Sequence, residues 1–88
     1  MNIETLTKTI MQRCEVLAQF TETPGSLTRT FLSLPMNDVH RTMQTWMEQA
    51  GMVVRVDAVG NIIGRKTSKN KDAKVLLIGS HLDTVKNA

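Results

Sequence analysis

A chain of 88 residues, 41% hydrophobic and 22% charged, fits one small globular domain and excludes a fibrous or disordered class. Folding at that length buries roughly 60 to 65% of the unfolded surface, so marginal stability is expected. The net charge of +3, from 11 Lys and Arg against 8 Asp and Glu, is mild, and the three aromatics Phe20, Phe31 and Trp46 offer no base-stacking platform, so nucleic acid is not an expected partner.

No segment approaches the roughly 20 apolar residues of a membrane span. The start, Met1-Asn2-Ile3-Glu4, lacks the basic stretch and apolar run of a secretory signal, and a cytoplasmic location is expected. A single cysteine, Cys14, cannot close an internal disulfide, and its place in an apolar pattern predicts a buried, inert thiol.

In chain order, Ile3, Leu6, Ile10, Cys14 and Leu17 recur at steps of three and four, which predicts an amphipathic helix from about Ile3 to Phe20. Residues 21–34 break the pattern with Pro24-Gly25 and several Ser and Thr side chains that compete for backbone bonds, so a connecting loop follows. A second helix is predicted from Asn37 or Asp38 to Ala50, with Asn37 as cap, Asp38 at the positive end of the dipole and Gly51 just past the end. Its apolar face would be Val39, Met43, Trp46, Met47 and Ala50, read as core packing, which leaves His40 in the first turn facing solvent.

From Met52 the pattern turns to β. Val53, Val54 and Val56 lead through Asp57-Ala58-Val59-Gly60-Asn61 to a returning strand at residues 61–66, a hairpin. The basic cluster Arg65, Lys66, Lys69, Lys71 and Lys74 surrounds an exposed turn. Residues 75–78, Val-Leu-Leu-Ile, are four consecutive apolar residues between charge and glycine, which predicts a strand covered on both faces in the middle of a sheet. Two helices and a hairpin do not suffice to cover such a strand, so the chain is expected to be incomplete.

That strand runs into Ser80-His81-Leu82-Asp83, and in open α/β sheets ligands bind beyond the carboxyl ends of strands. An imidazole nitrogen of His81 could ligate a divalent cation while Asp83, on the same side of an extended backbone, takes the other ring N–H. Gly79 and Ser80 would let the backbone approach closely. An H-x-D triplet is common by chance, so the residues alone make the metal role one option and a hydrogen-bonded surface histidine the other.

The stretch from Gly79 to Val85 resembles the first metal-binding motif of the zinc-dependent amidohydrolases that include allantoate amidohydrolase and N-carbamoyl-L-amino-acid hydrolase. Thr28-Arg29, the run from Trp46 to Met52, that from Val56 to Asn61, and Gly64-Arg65 resemble family signatures in the same order, and the ending from Thr84 to Ala88 is similar to the allantoate branch. The resemblance implies a fold class of α/β: two helices, a hairpin and a buried strand opening a zinc-aminopeptidase-like catalytic domain, with residues 1–88 its amino-terminal part. It implies His81 as a ligand of one metal in a two-metal centre and Asp83 as the catalytic-site carboxylate that orients it. The metals would be Zn²⁺ or another divalent ion such as Mn²⁺, Co²⁺ or Ni²⁺. Asp57, Gly60 and Asn61 match family signatures as well, but a hairpin-turn role accounts for them.

Such an enzyme hydrolyses a non-peptide C–N bond of a small ureido compound, allantoate first and an N-carbamoyl amino acid second, as a homodimer without nucleic-acid or membrane partners. The bridging carboxylate, the general base and the remaining ligands would lie downstream, and the 88 residues alone are expected to be inactive. The contrasting expectation is a non-enzymatic α/β module that self-associates through a sheet edge.

Overall fold

The computed structural model describes residues 2–85, and the residues 86–88 of the allantoate-like ending lie outside them. Helix α1 spans Ile3–Ala18, helix α2 Leu34–Gln49, strand β1 Val53–Val56 and strand β2 Ile62–Arg65. Asn2 caps α1, its Oδ1 accepting the Thr5 N–H at 2.8 Å, with Glu4 in the positive first turn.

The period of α1 is as the sequence reads it, but the face it marks is not a buried one. No residue of α1 is buried, and Ile3, Ile10 and Met11 are each more than half exposed. Cys14 is exposed too, against the expectation of a buried thiol. The cause is that α1 is held at its carboxyl end: the Arg13 guanidinium lies 4.9 Å from the Trp46 ring centroid, and the Leu17 and Phe20 carbonyls accept from Arg29.

Helix α2 begins three residues earlier than Asn37. Ser33 is its cap residue, without a side-chain capping bond, and Pro35 sits in the first turn, where a missing N–H costs nothing. Asn37 is therefore an exposed residue inside the helix, not its cap. The end is as expected: Gly51 has φ +87, its N–H donates to Glu48 O at 2.9 Å, and the Met52 N–H donates to Met47 O at 3.0 Å. This pair of bonds is a Schellman motif.

Helix α2 packs on the antiparallel hairpin, in which Val53 pairs with Arg65 and Val56 with Ile62. The core is small: among the described residues Val39 at 0% exposure and Met36 at 8% are the buried hydrophobics. Gly64 in β2 admits the thioethers, since a Cβ there would fall 2.6 Å from Met47 Cε and 2.8 Å from Met52 Sδ. Ala50, assigned to the apolar face, is exposed.

Residues 75–78 differ from expectation. They belong to no strand of the described sheet, which has two strands, and they are 76 to 88% exposed. An apolar run becomes a central strand only where neighbours supply ladder bonds and cover, and the hairpin edges here do not. Gly79 has no atom within 4 Å of where a Cβ would stand, so it serves no close approach.

Candidate functional site

The hairpin turn places the first polar group of the site. Asp57 Oδ1 accepts the N–H groups of Val59 at 3.1 Å and Asn61 at 2.9 Å, and Oδ2 accepts the Asn61 side-chain amide at 2.9 Å. Those bonds, Asn61 first, hold the Asp57 carboxyl below its ordinary pKa. Gly60 takes φ +89, a conformation that requires glycine, and a Cβ there would also displace the exposed Leu32 side chain, whose Cδ2 stands 2.8 Å away. Asp57 and Gly60 are thus turn residues, while Asn61 also faces a cleft.

That cleft, about 330 Å³, is formed by α2, the hairpin turn and residues 78–83. Met36, Met43 and Met47 line it along α2, and His40, Asn61, Ser80, His81 and Asp83 bring polar groups to it. His40 is a correction. Because α2 starts at Leu34, His40 falls in the second turn on the stripe of Met36, Met43 and Met47, and it is half-buried instead of solvent-facing.

His81 and Asp83 meet as a short extended segment allows. The His81 Nδ1 lies 2.8 Å from the Asp83 carbonyl oxygen and 3.3 Å from its carboxylate Oδ1. A carbonyl only accepts, so Nδ1 is the donor of this bond, and in the neutral form of the ring the lone pair is then on Nε2. This is the tautomer a ligating imidazole has when its other nitrogen is held by a carbonyl or carboxylate. The His81 side chain is 76% exposed, leaving Nε2 open to a cation. One imidazole so prepared fits a divalent metal as a single ligand. Among the described residues no three His, Cys, Asp or Glu side chains converge, so a complete centre needs donors from elsewhere.

The residue that sequence reasoning left without a role is Arg29, 5% exposed. Its Nε and Nη2 both donate to the Leu82 carbonyl at 3.1 Å, and Nη1 donates to Leu17 O at 2.5 Å and Phe20 O at 3.2 Å. Its backbone N–H donates to Thr84 Oγ1 at 2.8 Å, and the Thr84 N–H returns a bond to Arg29 O at 2.8 Å. Burial pulls the Arg29 pKa down from the ordinary arginine value, and its partners are neutral carbonyls at and beyond the negative end of α1. The loop before it is knotted by Thr21 Oγ1, which accepts the Thr28 N–H at 2.8 Å, and by Glu22, whose carboxylate accepts the Thr30 N–H and hydroxyl at 2.5 and 2.6 Å. A lone Arg in a Ser- and Thr-rich loop gives no periodic signal, so its burial was not legible from pattern.

Comparison with known proteins places these features in context. The chain is 43% identical to allantoate deiminase 1 of Glycine max over 72 residues, 82% of this chain and 15% of that protein. It is 39% identical to the N-carbamoyl-L-amino acid amidohydrolase of Geobacillus stearothermophilus over 79 residues, 89% of this chain and 19% of that protein. With the allantoate amidohydrolase of Bacillus subtilis it shares 35% over 74 residues, 83% of this chain and 18% of that one. No protein-family model matches the chain, and no solved structure matches it significantly. The chain spans less than a fifth of the length of these relatives, and over the residues that align it belongs to the family of allantoate deiminases and N-carbamoyl-L-amino-acid amidohydrolases.

Proposed function

We propose that this chain is the part of a metal-dependent ureido amidohydrolase that supplies its first metal ligand, His81, with Asp83 as the residue that orients it. The observation carrying the reading is the His81 Nδ1 contact with Asp83, 2.8 Å to the carbonyl and 3.3 Å to the carboxylate, in a chain similar to hydrolases of ureido C–N bonds. A bound divalent ion, Zn²⁺ or Mn²⁺, Co²⁺ or Ni²⁺, would polarise the ureido carbonyl and acidify water. His81 contributes the Nε2 lone pair, and Asp83 keeps the proton on Nδ1 so that the lone pair stays available.

The cleft of about 330 Å³ lies at the small end of the range for small-molecule sites and suits a ureido compound such as allantoate. Methionines Met36, Met43 and Met47 give it an apolar wall, and Asn61, whose side-chain amide already donates once to Asp57, offers a carbonyl acceptor and one further amide N–H to a ureido group. The donors missing for a second metal and a general base belong to the length of protein that the relatives have beyond this span. The fold in this reading is the opening of an α/β catalytic domain, in which residues 75–78 gain strand neighbours.

The test is a chimera in which this chain replaces the matching stretch of the Bacillus subtilis allantoate amidohydrolase, assayed on allantoate and on an N-carbamoyl-L-amino acid with each metal in turn. The expected result is turnover that His81→Ala abolishes. A folded chimera whose turnover survives His81→Ala would sink the assignment.

A further inference from the structure

The geometry points to Arg29 as a positioning residue that sets the His81 imidazole by anchoring the backbone on both sides of Asp83. This rests on the reading of His81 as a ligand, but its physical content stands without a metal. Residue 82 precedes Asp83 and residue 84 follows it. The Arg29 side chain holds the first by a forked bond to Leu82 O, 3.1 Å from both Nε and Nη2. The Arg29 main chain holds the second by two bonds to Thr84, each 2.8 Å.

Between those anchors sits the Asp83 carbonyl that accepts from His81 Nδ1 at 2.8 Å. Residues 75–80 are exposed, and no strand pairing among the described residues reaches them, so the anchors lie on the carboxyl side of the imidazole. The chain of control therefore runs from α1 through Arg29 to Leu82 and Thr84, then to the Asp83 carbonyl, and finally to the tautomer of His81.

Geometry favours arginine over lysine here. The planar guanidinium reaches Leu82 with two donors while its remaining nitrogen reaches Leu17 and Phe20, a spread that a single ammonium cannot match. Arg29 is buried, and its hydrogen-bond acceptors are main-chain carbonyls of Leu82, Leu17 and Phe20 and the Thr84 hydroxyl. It touches neither the His81 ring nor the Asp83 side chain by these bonds, so its effect on the site passes through Leu82 and Thr84.

The experiment is long-range ¹H–¹⁵N correlation of the two histidine rings in the metal-free chain, which reports the tautomer of each. In the wild type His81 is expected as the Nδ1–H form. In Arg29→Ala the Nδ1–H form should fall from the major to the minor population, with Arg29→Lys between, while His40 and the Asp57–Asn61 turn amides keep their shifts. Thr84→Val, which removes one hydroxyl acceptor, should move His81 in the same direction by less, and it decides the matter if Arg29→Ala does not fold. A His81 ring that keeps the Nδ1–H form in a folded Arg29→Ala, or in Thr84→Val when the first variant is unfolded, overturns the proposal. Neither metal nor substrate enters the measurement, so failure of the hydrolase reading leaves a separate trace in the chimera assay.

Discussion

Asp57 and Asn61 are joined at both ends of one carboxylate, Oδ1 to the Asn61 main-chain N–H and Oδ2 to its side-chain amide, each at 2.9 Å. The pair closes the hairpin turn whose Asn61 lines the cleft. Asp57→Ala should lower the urea midpoint of unfolding at neutral pH. The Asp57 and Glu22 carboxyls are both held below their ordinary values, by Asn61 and Thr30 respectively. A depressed folded pKa means stability that is present above the unfolded pKa and lost as pH falls through the folded one. Wild type and Asp57→Ala should therefore differ at pH 7, with the gap beginning to close near about pH 4 and vanishing only as pH falls through the depressed folded value. A midpoint gap that stayed constant down to pH 2 would contradict the assignment.

Two glycines separate backbone strain from crowding. Gly60→Ala forces a Cβ into φ +89 and to 2.8 Å from Leu32, at a cost of about 1–3 kcal/mol. Gly64→Ala meets only the mobile ends of Met47 and Met52, which can turn aside, so a cost under about 1 kcal/mol is expected. Denaturant titration of both variants should rank Gly60→Ala as the less stable.

Val39 carries the core. At 0% exposure, its truncation to Ala removes two buried methyl groups and leaves a void under α2, worth about 2 kcal/mol. In so small a domain this is a large fraction of the total, and at about 4–8 °C per kcal/mol the thermal midpoint should fall by about 8–16 °C.

Cys14 should be modified by a thiol reagent under native conditions at a rate close to that of a free thiol, because it is exposed on α1. Protection that disappears only on unfolding would mean that α1 packs more closely than described.

The sequence was most legible where geometry is local. The helical period of α1, the Gly51 terminus of α2 and the turn at Asp57 to Asn61 each follow from residues a few positions apart. The approach of His81 to Asp83 also needs only an extended pair of residues, although the ring bonds the Asp83 carbonyl at 2.8 Å where the sequence reading puts the carboxylate, which lies at 3.3 Å. What escaped depends on distant partners. Pro35 sits inside the first turn of α2, which accepts it, and the helix start three residues before Asn37 puts His40 in the cleft and not in solvent. The burial of Arg29 depends on carbonyls 9 and 53 positions away, and no window of sequence holds both. The apolar run at residues 75–78 states a demand for neighbours, and whether that demand is met depends on chain that is not adjacent to it.

The same run has a colloidal consequence. Four exposed apolar residues with high strand propensity and no charge among them form a template for association between copies. Immediately before them stand Lys69, Lys71 and Lys74, exposed and like-charged in every copy, so approach of two ribbons brings cation against cation. That repulsion acts over roughly 10 Å at 0.1 M salt and shrinks to about 3 Å at 1 M. The chain's solubility is thus tied to ionic strength, with the basic turn acting as the guard of the ribbon that follows it.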